Sequence, residues 1–233
     1  MARLLLVVFL ATTPLATTSI PARAGDEFQD PNQTRFDPSE VALDNSRDGE
    51  TTFRISAERT AIGWEDLQQP AGNVLDFHFE NATDRSAVLN YIGARHPSQL
   101  NGTVLSNGTV AFSNPYGIFI GNEAVLDVGS LVAIAGDVSR ESFLAGEGLT
   151  IPLEGTVENR GLIRADGLVA LLGRQVVNAG GIDVRGGDLL MLGGQQLWLP
   201  GWDALTADLE VSRAFFAALL AEGRVENTGS LRA

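Results

Sequence analysis

The 233-residue sequence contains no cysteine and no lysine. Without cysteine there are no disulfide bonds or thiolate metal sites, so core packing and hydrogen bonds must stabilise the fold. All 16 basic residues are arginine, against 29 acidic residues, and the net charge is −13. So acidic a surface repels phosphate backbones, which disfavours nucleic-acid binding. No apolar run approaches the roughly 20 residues that a membrane-spanning helix needs.

The N-terminus has the order of features typical of a cleaved secretory signal. Arg3 supplies a positive charge, an apolar stretch runs from Leu4 to Ala11, and small residues lead to Ala22 and Ala24. This A-x-A-like site predicts a signal peptide over residues 1–24 with cleavage after Ala24. A buried N-terminal strand or helix is the alternative interpretation.

The two segments that follow differ in their pattern of polar and apolar residues. Residues 25–50 are polar and acidic with sparse apolar residues, which predicts a flexible leader. From Thr51 onward apolar and polar residues alternate in short runs, as in Leu75 to Phe79, which indicates strands with one buried face. The dipeptides Asn101-Gly102 and Asn107-Gly108 predict turns, because both residue types tolerate positive φ.

The second half of the chain repeats itself. Asparagine and the glycine two residues later recur after 19 residues, and a third copy begins near the C-terminus. The repeated residues are Asn159 and Gly161, Asn178 and Gly180, and Asn227 and Gly229. A period near 20 with strand composition predicts an all-β solenoid in which Asn and Gly occupy the corners, where the backbone visits the left-handed region.

Residues 201–233 are predicted to hold a short helix and the start of a further coil. Ser212 is a suitable N-cap, Ala and Leu fill the segment to Glu222, and Gly223 is a suitable C-terminal cap. The sequence stops at Ala233 inside the third repeat, so we expect it to be the N-terminal piece of a longer protein or a truncated gene.

Motifs between Ser86 and Leu172 carry a specific resemblance to a known family. They are Ala87 to Ile92, Pro97 to Thr103, Asn114 to Gly121, Val128 to Ala133 and Phe143 to Gly146, with Arg59 to Trp64 upstream. In order and spacing they resemble the N-terminal two-partner-secretion domain, or haemagglutination activity domain, of filamentous-haemagglutinin-like exoproteins. The resemblance covers roughly residues 51–200.

The resemblance implies a right-handed parallel β-helix with an N-terminal cap and extra-helical strands. It also implies export into the periplasm, recognition by the POTRA domains of an outer-membrane barrel transporter, and folding at the cell surface. Family members act as adhesins, haemagglutinins, cytolysins or toxins on host or neighbouring cells. No cofactor is implied.

One family motif, Asn-Pro-Asn-Gly-Ile, maps onto Asn114, Pro115, Tyr116, Gly117 and Ile118. Tyr116 stands where the family has asparagine. The residues themselves predict a turn, in which Pro115 presets φ, Gly117 supplies positive φ and Asn114 bonds to its own backbone. The motif is therefore a turn that caps a coil, a recognition element for the transporter, or both.

The acidic residues leave a second interpretation open. Five aspartates could form a carboxylate cluster in a groove, as in β-helix polysaccharide lyases and hydrolases: Asp76, Asp127, Asp166, Asp183 and Asp188. Their spacing also fits turns and outward strand positions, and the absence of lysine removes one common lyase base. His78 and His96 have no assignable catalytic or metal-binding partners. We therefore expect a secretion domain and not an enzyme, with the enzyme or a non-functional remnant as alternatives.

Overall fold

The computed structural model describes residues 3–8, 34–203 and 223–232. These residues form short strands and one helix. The strands are, in chain order, β1 (Arg3–Val8), β2 (Thr34–Arg35), β3 (Val41–Asp44), β4 (Glu50–Ile55), β5 (Arg59–Trp64), β6 (Gln68–Gln69), β7 (Val74–Phe79), β8 (Ala87–Ile92), β9 (Ser98–Leu100), β10 (Thr103–Ser106), β11 (Thr109–Ser113), β12 (Ile118–Ile120), β13 (Val125–Val128), β14 (Ser130–Ile134), β15 (Leu149–Pro152), β16 (Thr156–Asn159), β17 (Leu162–Ala165), β18 (Val169–Gly173), β19 (Gln175–Asn178), β20 (Gly181–Val184), β21 (Asp188–Gly193), β22 (Gln196–Leu199), β23 (Arg224–Asn227) and β24 (Ser230–Arg232). The helix, α1, spans Arg140–Ala145.

Stacked coils arrange most of these strands in three sheets. Sheet A has the order β1-β21-β18-β14-β11-β8-β5-β2, sheet B the order β24-β20-β17-β13-β10-β7-β4-β3, and sheet C the order β23-β19-β16-β12-β9-β6. Each coil passes through sheet B, then sheet A, then sheet C, and its strands pair in parallel with those of the next coil. This is the β-helix that the sequence period predicts, and the all-β class is confirmed.

The interior of the β-helix is filled by the inward side chains of all three sheets. Aromatic rings line its N-terminal half: Phe53 stacks on Phe77 with ring centroids 5.3 Å apart, and Phe77 meets Phe112 edge-on at 6.3 Å. All three are buried. Because a single coil cannot enclose these side chains, stacking of neighbours creates the core.

The N-terminal end is closed by a cap. β2 pairs antiparallel with β5, and β3 pairs antiparallel with β4, while Phe36 packs edge-on against Phe53 at 6.1 Å. The cap covers a sheet edge that would otherwise be open to pairing. The prediction of a flexible leader over residues 25–50 is therefore wrong from Thr34 onward, because sparse apolar residues such as Phe36 and Val41 are buried by the first coil.

A second core lies on the outer face of sheet A. α1 and the antiparallel pair of β15 and β22 leave the coils and cover this face. Phe143 of α1 meets Trp202 edge-on with ring centroids 4.7 Å apart, and Arg59 donates to the Phe143 carbonyl at 3.2 Å and pairs with Asp203. Sheet A is thus buried on both faces, which explains continuous apolar strands such as β18.

The helix that the sequence predicts over Ser212 to Glu222 lies outside the described residues. The described helix, α1, was not predicted. Its local signals are nevertheless present: the Ser139 side chain accepts from the Ser142 amide, and Gly146 closes the helix in the left-handed conformation. Only six residues long, α1 is too short to give a periodic apolar pattern.

Candidate functional site

The motif Asn114 to Ile118 forms a tight turn between sheets A and C. The Asn114 carbonyl accepts from the Gly117 amide at 3.0 Å, and its Oδ1 accepts from the Tyr116 amide at 2.9 Å. Gly117 has a φ of +123°, which an L side chain rarely adopts. Ile118 is buried and begins β12, whereas Tyr116 is 50% exposed. Asn114 and Gly117 thus have the backbone bond and the positive φ that the sequence predicts for them.

The turn is held by the coils on both sides of it. Asn114 is fully buried, and its Nδ2 donates to the His96 carbonyl at 3.0 Å and to Ser98 Oγ at 2.9 Å in the preceding coil. On the other side a Cβ on Gly117 would lie 2.9 Å from the Thr156 carbonyl oxygen of the following coil. The turn therefore contacts the coils on both sides of it, and the two bonds to the preceding coil leave the Asn114 side chain little freedom to move.

A groove of about 450 Å³ lies beside this turn. Gly63, Tyr91 and Ser113 stand in register across β5, β8 and β11 and lie along it. A Cβ on Gly63 would lie 2.5 Å from the Tyr91 ring, so glycine is needed for the ring to cover this position. Pro115 of the turn lines the same groove. The turn and the groove therefore form one continuous surface, which we call the corner site.

Charged and apolar groups both border the corner site. Arg35, Glu65 and Asp137 line the groove together with the apolar Ile92 and Val138. The Val138 amide donates to Ser113 Oγ at 3.1 Å, and Ser113 Oγ donates to the Gly136 carbonyl at 2.8 Å. These two bonds fix the groove wall to β11. The corner site therefore offers a partner shape, charge and hydrogen-bonding groups.

Beneath the groove lies a polar pair that the sequence analysis did not single out. Trp64 Nε1 donates to Asn90 Oδ1 at 2.9 Å, and Asn90 Nδ2 donates to the Ala111 carbonyl at 3.1 Å. Asn90 is fully buried. An asparagine within the apolar run of β8 was the available signal, because a buried amide must find partners.

The predicted corner asparagines form a hydrogen-bonded ladder. Asn159 Nδ2 donates to Asn178 Oδ1 at 2.7 Å, and Asn178 Nδ2 donates to Asn227 Oδ1 at 2.7 Å. β16 pairs with β19 and β19 with β23 so that the three asparagines stand in register. Asn159 and Asn178 are fully buried, whereas Asn227 is exposed. The ladder stabilises the stacking and offers no site for chemistry.

The glycines of the repeat are present for a different reason from the predicted one. Among the described residues, the glycines with positive φ are Gly49, Gly72, Gly117 and Gly146. The repeat glycines are instead needed because the backbone of the preceding coil lies too close for a side chain. A Cβ on Gly161 would lie 2.6 Å from the Ala124 carbonyl oxygen. A Cβ on Gly180 would lie 2.2 Å from the Gly161 oxygen, and one on Gly229 would lie 2.0 Å from the Gly180 oxygen. Gly102 is similar, at 2.2 Å from the Asn73 oxygen.

Two aspartates of the alternative enzyme interpretation, Asp127 and Asp166, are paired with an arginine. Arg185 lies between them, with Nη2 2.9 Å from Asp127 Oδ1 and Nη1 2.8 Å from Asp166 Oδ1. Asp183 stands in register with Arg164. Within the described part of the chain, no group of histidine and acidic side chains is arranged to hold a metal ion. Arg185 therefore neutralises the charges of Asp127 and Asp166 on the outer face.

Burial raises the pKa of Asp76, another aspartate of this set, above its ordinary value, because it disfavours the charged form. A folded-state pKa above the unfolded value means that the ionised carboxylate costs stability at neutral pH, and that the cost disappears as pH falls through the folded pKa. We expect Asp76→Asn to unfold at higher urea concentration than the native chain at pH 7. The difference should shrink towards zero near about pH 3, where both states are protonated. A difference independent of pH would contradict this assignment.

The predicted cleavage residues, Ala22 and Ala24, lie outside the described residues. Arg3–Val8 of the predicted signal are described as β1, which pairs in parallel with β21. Among residues 34–203 and 223–232, no helix is long and apolar enough to cross a membrane.

These elements define a capped β-helix with an extra-helical helix and a pair of extra-helical strands, and comparisons with known proteins show the family. The family model of the TPS (two-partner) secretion domain matches residues 70–231. The crystal structure of the HMW1 secretion domain from Haemophilus influenzae is similar with a TM-score of 0.70 and 27% identity, over 82% of this chain and 50% of that chain.

Two curated relatives carry the name heme/hemopexin-binding protein. One, from Haemophilus influenzae strain Rd, is 31% identical over 134 residues, which is 53% of this chain and 15% of the relative. The other, from Haemophilus influenzae, is 24% identical over 137 residues, or 59% of this chain and 14% of the relative. The chain thus spans about a seventh of the length of these relatives. With most of its length matched by the family model, the chain belongs to the TPS secretion domain family.

Proposed function

We propose that this chain directs the export of an exoprotein through an outer-membrane transporter with POTRA domains and a barrel, and that the corner site is presented to that partner. The observation that carries the proposal is the match of residues 70–231 to the TPS secretion domain. The exported protein is then displayed on the cell surface or released.

The geometry of the corner site supports its part in this proposal. Asn114 is buried and its side chain is bonded to the preceding coil, so it sets the shape of the turn and does not itself face a partner. Tyr116 and the groove beside Pro115 are the exposed parts. Asn114 is therefore proposed as a positioning residue for a surface that the transporter recognises.

What the exported protein does at its destination is a separate proposal. We propose an adhesin, cytolysin or toxin that acts on a host or neighbouring cell, as the family resemblance implies. The two curated relatives are named for binding heme and hemopexin, but the matched part is a small fraction of each. Domain limits of 1–24 for the signal, 51–200 for the secretion domain and 201–233 for a further coil belong to the same proposal.

A transporter-dependence experiment tests the proposal. The chain is expressed in a Gram-negative host with and without the barrel transporter encoded beside it, and the chain is quantified in the medium, on the cell surface and in the periplasm. We expect release to the surface or medium only with the transporter, and periplasmic accumulation without it. A third strain carries a transporter that lacks its POTRA domains. It distinguishes recognition of the chain by these domains from passage of the chain through the barrel. Equal secretion in all three strains would refute the proposal.

A further inference from the structure

Two segments leave the coils at the corner between sheets A and C and meet on the outer face of sheet A. The first lies between β14 and β16 and contains α1 and β15. The described part of the second lies between β21 and β23 and contains β22. The two segments are joined because β15 and β22 run antiparallel, from Leu149 with Leu199 to Pro152 with Gln196. With the coil that starts at β4 counted as the first, they leave the fourth and the sixth coil.

The same two segments reach back to the beginning of the β-helix. α1 contacts β5 and β8, which are the sheet A strands of the first and second coils. In sheet A, β5 and β21 are separated by five strand spacings, which is about 24 Å. A solenoid whose coils touched only their neighbours would have no contact across this distance.

Arg59, the first residue of β5, fastens both segments to the first coil. Its Nη1 donates to the Phe143 carbonyl of α1, its guanidinium lies 5.6 Å from the centroid of the Phe143 ring, and its Nη2 pairs with Asp203. Arg85, which precedes β8, donates to the other carboxylate oxygen of Asp203 at 3.3 Å. The Arg59 side chain is only 13% exposed, so water screens its contacts weakly. The first two coils are thus tied to a residue that follows β22.

Apolar packing supports these polar contacts. Trp202 is 1% exposed, and its ring lies against Phe143 on the side of α1 away from β5 and β8. A Cβ on Gly201 would lie 2.9 Å from the Gly146 carbonyl oxygen, so the chain before Trp202 passes directly against the end of α1. Residues 196–203, which we call the strap, therefore hold α1 against sheet A.

We propose that the strap couples the opening of the first coil to the segment that leaves the sixth. The first coil cannot separate from the stack unless Arg59 also releases α1 and Asp203. Without the strap, the first coil would be held by the second coil and the cap alone and would open more easily. The strap makes stability in this solenoid depend on a contact between distant coils, and the proposal does not depend on the transporter.

Hydrogen exchange, resolved by residue on the purified chain, tests the coupling. Asp203→Asn keeps the shape of the side chain and removes its charge, which weakens both arginine contacts. We expect the amides of β5 to exchange about tenfold faster than in the native chain. Asp183→Asn, which changes an aspartate of the sixth coil outside the strap, should alter exchange at β5 by less than about twofold. Unchanged exchange at β5 in Asp203→Asn would overturn the proposal, because stacking between neighbours alone predicts that result.

The reciprocal variant, Arg59→Gln, tests the coupling from the other end. The amides of β22 should exchange about tenfold faster, whereas Arg54→Gln, on β4 of the same coil, should leave β22 within about twofold of the native rate. The double variant Arg59→Gln with Asp203→Asn should exchange at β5 no faster than the faster single variant, because both changes break the same contact. Effects that multiplied would show that the two residues act independently and would overturn the proposal. If Arg59→Gln does not fold, exchange at β5 in Asp203→Asn decides alone.

Discussion

Asn178→Ala is expected to lower the free energy of unfolding by about 2–4 kcal/mol, because it breaks the asparagine ladder at its centre. Asn178 accepts from Asn159 and donates to Asn227. After the substitution the Asn159 amide is left buried without its partner, and the desolvation of that group is no longer compensated. Urea denaturation followed by circular dichroism measures the effect.

The ladder itself provides matched controls. Asn227 is exposed, so in Asn227→Ala water takes the place of the lost amide beside Asn178, and we expect a loss of about 1 kcal/mol. Asn122 is exposed and outside the ladder, and Asn122→Ala should change stability by less than about 0.5 kcal/mol. If Asn178→Ala cost no more than Asn122→Ala, the ladder would not contribute to stability.

The features of the fold that could be predicted are those that depend on residues close together in the sequence. The spacing of Asn159 and Asn178 predicts the coil length, because each coil must bring equivalent side chains into register. The turn at Asn114 is likewise local, since Pro115 and Gly117 determine its backbone by their own conformational preferences. Both features were derived from the residues, and the structure has Asn159 and Asn178 in register and Gly117 at positive φ.

The unpredicted part depends on contacts between distant segments. Residues of the cap such as Phe36 look isolated in the sequence and are buried only because the first coil lies beneath them. The groove depends on Gly63, Tyr91 and Ser113 meeting across three coils, which a single run of residues does not reveal. The second core on sheet A was missed for the same reason, although its continuous apolar strands were visible.

The repeat glycines show how a correct pattern can have a different cause. Asn-x-Gly at the corners was interpreted as left-handed backbone, but Gly180 lies where a Cβ would be 2.2 Å from the Gly161 oxygen. Stacked corners bring backbones into contact at these positions, and this contact excludes any side chain. Such contact between coils is a property of the stack and not of the individual turn.

Asn114→Ala is expected to reduce the secreted yield at least tenfold in the presence of the transporter. The change removes two donated bonds, to the His96 carbonyl and Ser98 Oγ, and the bond accepted from the Tyr116 amide. With buried partners left unpaired, we expect a loss of about 2–4 kcal/mol in stability and a turn that no longer has one shape. Secreted and periplasmic chain are quantified side by side, together with urea denaturation of the purified variant.

Two variants in the same turn locate the cause of the defect. Tyr116→Asn changes an exposed side chain and introduces the residue of the family motif, so stability should change by less than about 0.5 kcal/mol and secretion by less than about twofold. Asn114→Asp keeps an acceptor for the Tyr116 amide but puts a buried carboxylate oxygen against the His96 carbonyl, so it should lose at least as much as Asn114→Ala in both measurements. Secretion of Asn114→Ala at the native level would remove the turn from the export mechanism. The contrary result would be a Tyr116→Asn chain that is as stable as the native chain and yet is secreted as poorly as Asn114→Ala. In that case the exposed Tyr116 ring, and not the buried Asn114 amide, would be what the transporter requires.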